Sequence, residues 1–244
     1  MMNSKWSSEE KARLNDLANK YTTYDDYDYW INRAACKIIV PRVEGLKVLQ
    51  MGCASGVLTE CLVEVVDQLD IVEGSSLYAS QVRQKFGEKV SVMEELFEEF
   101  CPKTTYQAII LDNTLHLLRD PDVILEKIRQ WLSKDGRFYL TVPNALSLHR
   151  RLGIKMNMLK NNEDITERGD VFGQFNHFTY NSTEKILCDH GYVIDESFGY
   201  LLKPFSNKQM IALGISGELF EALFEIGRDF PDIANQLYFR ARST

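Results

Sequence analysis

The sequence predicts an α/β fold in which a mostly parallel sheet is covered by helices on both faces. Three observations carry that prediction. Short, nearly all-apolar runs alternate with segments of helical length between Lys47 and Val142, the pattern of strands buried on both sides. The first run, KVLQM, passes directly into GCASG and then into a helix-like stretch, and such a turn presents backbone to a ligand at the carboxyl edge of a sheet. The second run, LDIVE, closes on an acidic residue, Glu73.

The elements follow in order. Ser8, with Glu9 and Glu10 behind it and Leu14 and Leu17 further on, reads as the cap of an opening helix. An aromatic, acidic stretch, Tyr21–Trp30, precedes a helix through Arg33 to Val40 that stops at Pro41. KVLQM is a strand, GVLTECLVEVV a helix and LDIVE (69–73) a second strand. SSLYASQVRQKF is a helix, VSVM a strand and YQAIIL (106–111) a strand that is apolar almost throughout. DPDVILEKIRQWL is a helix with Pro121 in its first turn, and GRFYLTV (136–142) a strand. Beyond Pro143 the regularity lapses: residues 144–182 are polar, carry clustered charge and read as an insertion or lid. A helix over 183–190, a strand YVIDESF, a helix around GELFEALFEIG and a final strand near QLYFRAR complete the chain. These elements divide one domain, 1–244, into a helical cap (1–41), a ligand-binding core (46–143), the insertion (144–182) and a C-terminal part of the core (183–244).

At 244 residues the chain can bury a substantial single core. A formal net charge of −7 argues against a dedicated nucleic-acid binder. The start of the chain lacks the apolar core of a signal peptide, and no apolar run approaches the roughly 18 residues of a membrane span. Cys36, Cys53, Cys61, Cys101 and Cys188 are scattered with no C-x-x-C pair, so neither a disulfide framework nor a zinc site is expected. His116, His149, His177 and His190 also lack metal-ligand spacing, so no metal is expected. A cytoplasmic monomer or homodimer acting on a small-molecule acceptor, without nucleic acid or membrane, is the resulting expectation.

Spacing sorts the ligands that the glycine turn admits. A phosphate-cradling G-x-x-x-x-G-K-[ST] loop is absent, because Gly52 and Gly56 are followed by Val57 and Leu58. A dinucleotide fingerprint would put branched Val57 where a third glycine permits close helix–strand packing. The remaining pattern is G-x-G-x-G, over Gly52, Ala54 and Gly56, with Glu73 lying 17 residues beyond Gly56. A carboxylate there can accept both hydroxyls of a ribose, while the small residues leave room for an amino-acid moiety.

VLQMGCASGVLTECL, DIVEGS, LFEEF, LHLLRDP and RFYLTVPNALSLHRRLG together resemble the class I S-adenosylmethionine-dependent methyltransferases, over about residues 25–240. The chain looks most like bacterial small-molecule members, several of them encoded with surface-polysaccharide or natural-product pathways. The resemblance implies a Rossmann-like, doubly wound, seven-stranded sheet whose last strand, QLYFRAR, is antiparallel. It implies S-adenosyl-L-methionine as cofactor, with Gly52, Cys53, Ala54 and Gly56 along its methionine end. Glu73 would hold the ribose, with Gly74 and Ser75 beside it. Glu94, Glu95 and Leu96 would meet adenine, with a backbone contact favoured from the latter pair, and Asp112 and Asn113 would sit beside the transferred methyl. Three positions depart from the family pattern. Gln50 stands where an acidic residue is usual, Ala54 replaces the middle glycine, and His116–Leu117 stands where relatives often show Glu–His. Gln50 keeps an acceptor but loses a charge, and Ala54 is tolerable with a negative φ.

Methyl transfer needs two positioned reactants and, for a hydroxyl acceptor, a base. His149, just past GRFYLTV, and His177, in a stretch resembling the family's G-H-x-R-H-F-T, are the expected catalytic residues, each with a plainer reading as a surface or loop-pinning histidine. His116 is a third candidate, and His190 reads as a helix-end partner. Arg150 and Arg151, in a basic cluster with Lys155 and Lys160, are expected to receive acceptor phosphate or carboxylate. Asn144 and Tyr180, near the two ends of the insertion, are expected to touch the acceptor as well. Glu163, Glu167, Arg168 and Asp170 orient acceptor groups or form exposed ion pairs. Arg33 is expected to pair with the cofactor carboxylate, and the Tyr21–Trp30 aromatics close over the sulfonium or pack as a helix edge. The sequence therefore points to O-methylation of a sugar, a nucleotide-linked sugar or a related metabolite. Quinone or polyketide O-methylation, small-molecule N-methylation and a catalytically silent cofactor-binding subunit remain as alternatives.

Overall fold

In a computed structural model describing residues 4–215 and 217–244, seven strands form one sheet in the order β3-β2-β1-β4-β5-β7-β6. The strands are β1 (Lys47–Met51), β2 (Gln68–Val72), β3 (Ser91–Met93), β4 (Tyr106–Asp112), β5 (Leu132–Pro143), β6 (Tyr192–Tyr200) and β7 (Gln236–Ser243). β1 through β5 pair in parallel, and β7 runs antiparallel between β5 and β6. This is the expected Rossmann-like, doubly wound sheet with its last strand reversed. β1 and β4 are apolar on both faces because helices cover both. Val48 and Ile110 belong to one core cluster, whereas Leu49, Ile109 and Leu111 belong to the other. All five side chains are fully buried, and each contributes roughly 1.5–3 kcal/mol relative to exposure.

Ten α-helices surround the sheet among the described residues: α1 (Ser4–Lys20), α2 (Asp28–Ile39), α3 (Val57–Leu62), α4 (Ser76–Phe86), α5 (Pro121–Trp131), α6 (Leu148–Lys155), α7 (Glu167–Phe172), α8 (Tyr180–Asp189), α9 (Asn207–Ala212) and α10 (Gly217–Asp229). Several bounds differ from the sequence expectation. Ser8 lies inside α1 and does not cap it. α3 ends at Leu62 and gives way to a turn in which Val65 donates back to the Leu62 carbonyl at 3.0 Å; Val63, Val65 and Val66, β-branched and close together, do not extend it. α8 begins at Tyr180 because Thr179 and Ser182 form a reciprocal capping box. The insertion is not irregular, since it holds α6, α7 and the start of α8. No helix among the described residues is long and apolar enough to cross a membrane.

α10 seats against the chain leaving β6. Leu201 there is fully buried with a φ of +59°, and Leu202 N–H donates to the Leu223 carbonyl at 2.7 Å. A Cβ on Gly227 would lie 2.2 Å from Leu201 N. Gly227→Ala is therefore expected to lower stability by about 1–3 kcal/mol, the usual range for overpacking, as read from the urea midpoint. An unchanged midpoint would mean that α10 does not dock on this segment.

Candidate active site

The carboxyl ends of β1, β2, β4 and β5 open into a cavity of ≈ 340 Å³. Gln50, Gly52, Cys53, Ala54, Glu73, Gly74, Leu96, Asp112, Asn113, Asn144, His149, Arg150 and His177 all line it, nine from the ligand-binding core and four from the insertion. Thirteen expected residues thus share one wall.

Glu73 is the pivot of the β1–β2 side. Its carboxylate is buried, with Oε2 accepting from Cys53 N–H and Oε1 from Ser75 N–H, each at 2.9 Å. Gly52 and Ala54 both adopt positive φ, +78° and +42°. The negative φ expected for Ala54 is thus corrected: the loop turns left-handed at this position, which costs a non-glycine residue roughly 1–2 kcal/mol. Gln50 is satisfied internally. Its Oε1 accepts from Thr59 Oγ at 2.9 Å and its Nε2 donates to the Gly52 carbonyl at 3.1 Å. An acidic residue would lose that second bond, so Gln50, which gives up the charge usual at this position, braces the loop.

Across β4, Thr141 Oγ donates to Asp112 Oδ1 in a short bond, and burial raises the Asp112 pKa to about 6. Asn113 is left-handed (φ +50°) and is anchored through its N–H to the Thr141 carbonyl and hydroxyl. Its Oδ1 is buried with no hydrogen-bond partner among the described residues, as are His116 Nδ1 and His177 Nε2. Orphaned polar atoms around a cavity signal a ligand more readily than a packing role. Burial depresses the pKa of His116 to about 4 and of His149 to about 2, the latter also through Lys203 and Arg150; His177 is lowered by burial and by Arg150. All three are neutral at pH 7. His149 is nevertheless the poorest base, since its Nδ1 already contacts Ser147 Oγ at 3.1 Å.

Other expected contacts lie elsewhere. Arg33 faces a separate small recess with Tyr24, Tyr29, Val57 and Glu60, and its Nη1 contacts Cys61 Sγ at 3.1 Å. α2 carries it to this recess and away from the cavity where the cofactor carboxylate was expected to meet it. Gly56 is the left-handed N-cap of α3, packed near Val82 and Phe86. Ser75 caps α4. Glu94 and Glu95 are exposed and only Leu96 of that trio reaches the wall. Arg151 donates to the Leu146 carbonyl, because α6 points successive side chains about 100° apart and only Arg150 faces inward. Tyr180 is held by Ser197 and stacks on Phe239. Of the Tyr21–Trp30 aromatics only Tyr21 lines the cavity, whereas Tyr27 is core and Trp30 packs on Phe220.

The sequence reading missed two parts of the wall. One is α1, which supplies Trp6, Arg13, Leu14 and Leu17; Asn15 Oδ1 accepts from Ser75 Oγ, Ser76 Oγ and Leu77 N–H, pinning α1 to α4. The other is a polar cluster in which Asp28, Lys203 and Asn207 join Arg168, which the sequence had marked for acceptor groups or ion pairs, on the wall. Arg168 reaches both Asp26 oxygens (3.0 and 3.1 Å) and Asp28 Oδ2 (2.5 Å), and Asn207 Nδ2 donates to Asp26 (2.6 Å) and Asp28 (2.9 Å). Arg168 is thus a latch between α7 and the start of α2. Arg13, donating to the Phe172 carbonyl at 3.1 Å, adds a second tie between α1 and α7. No group of three or more His, Cys, Asp or Glu that could hold a metal occurs among the described residues.

Residues 22–197 match the family described as a methyltransferase domain. The chain belongs to this family. It is 25% identical over 173 residues to the human mitochondrial ubiquinone biosynthesis O-methyltransferase, covering 66% of the chain but only 45% of that relative. Among solved structures, the DhpI–SAM–HEP complex aligns over 99% of the chain and 100% of its own at 14% identity, with a TM-score of 0.63. The Burkholderia thailandensis 1,6-didemethyltoxoflavin N1-methyltransferase, bound to its substrate and S-adenosylhomocysteine, aligns over 100% and 92% at 16% identity, with a TM-score of 0.61. Both likenesses are of fold.

Three neutral histidines in the wall make stability pH-dependent. Unfolded, each takes a proton near pH 6.5; folded, His116 and His149 resist protonation down to about pH 4 and about pH 2, and His177 is lowered in the same direction. The unfolded state binds more protons as pH falls below about 6.5, so stability declines there. Asp112, with its pKa raised, contributes the opposite sign between about pH 4 and 6, one group against three. The melting temperature is expected to fall from pH 7 to pH 5, and to fall less in His116→Gln. An equal fall in both proteins would mean that His116 titrates normally.

Proposed function

We propose that the chain is an S-adenosylmethionine-dependent methyltransferase acting on an oxygen of a small polar molecule. The observation that carries this reading is Glu73, a buried carboxylate in the cavity wall tied to the backbone of both neighbouring turns. Two backbone donors use one lone pair on each oxygen and leave acceptor capacity toward the cavity, which suits the two hydroxyls of a ribose. The residues present fit the cofactor in three ways. Gly52, Cys53 and Ala54 bring backbone to the wall, Leu96 and Phe97 supply an apolar face for a base, and Asn113 offers an unpartnered oxygen. S-adenosylmethionine, when bound, supplies an electrophilic methyl on a sulfonium.

The chain's own contribution is positioning, dehydration and proton handling. α1 and α7, latched through Arg13 and Arg168, cover the cavity and exclude water. His116 and His177 are neutral, with a buried nitrogen free on each, so each can accept a proton from an acceptor hydroxyl. His116 is favoured, since it follows Asp112 and Asn113 closely in the chain after β4 and lines the same cavity with its Nδ1 unspent, whereas His149 serves the wall rather than as base. A sugar-like acceptor is preferred for the polar half of the cavity, where Asn144, Asn207, Asn235 and Gln236 line the wall and Gln236 Oε1 is buried without a partner among the described residues. Ubiquinone-type O-methylation is the second reading, favoured by the human relative; the charged wall speaks against an apolar ring.

Calorimetry with S-adenosylhomocysteine tests the reading. The wild-type chain is expected to bind it, and Glu73→Ala to weaken binding by about 30-fold or more, the loss of roughly 2 kcal/mol of charge-assisted hydrogen bonding. No binding, preference for NAD, or unchanged affinity in Glu73→Ala would overturn it.

A further inference from the structure

Two cations stand in the cavity wall without a carboxylate in direct contact among the described residues. Arg150, only 9% exposed, spends Nη2 on the carbonyls of Asn162 (2.9 Å) and Asp164 (2.7 Å), and its Nε has no partner. Lys203, 6% exposed, has Asn207 Oδ1 at 2.7 Å as the acceptor for its ammonium. Neither makes an ion pair among the described residues, whereas Arg168 nearby is bound to both Asp26 and Asp28. Both cations act on His149, whose protonation they oppose together. Both line the same cavity as His149, in segments that follow β5 and β6 and apart from Glu73, which follows β2.

The carboxylates that act on these two cations, Asp164 on Arg150 and Asp28 and Asp26 on Lys203, do so without a direct ion pair, and Asp26 and Asp28 are already bound to Arg168; a buried cation without a direct anionic partner is costly. We propose that the acceptor carries a carboxylate or phosphate group and that Arg150 and Lys203 receive it. This rests on the methyltransferase reading, and it narrows that reading to anionic acceptors. The guanidinium is braced through Nη2 by the insertion and its Nε donor is unspent, and a rigid planar fork of this kind suits planar or tetrahedral oxyanions. Lys203, fixed by Asn207, supplies the second positive charge. Asn207 also donates to Asp26 and Asp28, so the anion corner and the latch over the cavity share one residue.

Inorganic phosphate, benzoate and uncharged benzamide, titrated calorimetrically into the chain saturated with S-adenosylhomocysteine, test the assignment. At least one anion is expected to bind, with benzamide about tenfold weaker or more. Phosphate against benzoate separates a phosphorylated acceptor from a carboxylic one. Lys203→Met and Arg150→Gln are expected to weaken the anion about tenfold or more, and Arg150→Lys to retain most of it. Because Arg150 also braces the insertion, Lys203→Met is the deciding variant, with an unchanged thermal melt as the check on folding. Binding of neither anion, or equal anion affinity in wild type and Lys203→Met, would overturn the proposal. If S-adenosylhomocysteine itself fails to bind, the cofactor reading falls; the same titration without it then decides the anion corner by the same comparison.

Discussion

One carboxylate joins the first two turns of the sheet. Glu73 Oε2 holds the N–H of Cys53, after β1, and Oε1 holds the N–H of Ser75, after β2. The glycine turn is left-handed at Gly52 and Ala54, which frees its N–H groups from any helix ladder, and it needs a fixed acceptor to keep its shape. Glu73 provides that acceptor from a position that is itself set by the parallel register of β1 and β2, in which Met51 faces Val72. Gln50 holds the same turn from its other side through the Gly52 carbonyl. Remove the carboxylate and two backbone donors are left buried and unpaired.

The second dependence is between distant segments. α1 is tied to α4 through Asn15 and to α7 through Arg13, and Arg168 on α7 returns to Asp26 and Asp28. Charge in this cluster is not surface decoration: Asp28 is partly buried, accepts from Tyr21 at 2.7 Å, and is shared with Asn207. Ion pairs of this kind are weak evidence for added stability; what these do in the fold is join α7 to the start of α2. The cover over the cavity is thus built from the chain's first residues and from its insertion together, and Lys203 and Asn207 close the far side.

How much of this was legible in sequence depends on whether a feature is local. The sheet, its strand assignments and Glu73 were legible because an apolar run, a small-residue turn and an acidic strand end follow one another within 27 residues of chain. Asp112 and Asn113 were legible for the same reason, lying at the end of an apolar strand. Arg151 and Tyr180 were misjudged because sequence proximity to a pocket does not fix side-chain direction: α6 turns Arg151 outward, and Ser197 claims Tyr180. The left-handed Ala54 was not legible, since alanine is compatible with either sign of φ at a modest energy. Lys203 and Asn207 left no local signal at all. They follow β6 in a stretch without a motif, and only the antiparallel insertion of β7 between β5 and β6 brings them to the cavity.

The central claim is that the Glu73 side of the cavity holds the nucleoside and the Asp112–His116 side holds the reacting end. A crystal structure of the chain with S-adenosylhomocysteine tests it most directly. The account predicts ribose hydroxyls on the Glu73 carboxylate, the base against Leu96 and Phe97, and the sulfur opening toward Asn113 and His116. A ligand seated in the recess beside Arg33, or one with its ribose away from Glu73, would contradict it.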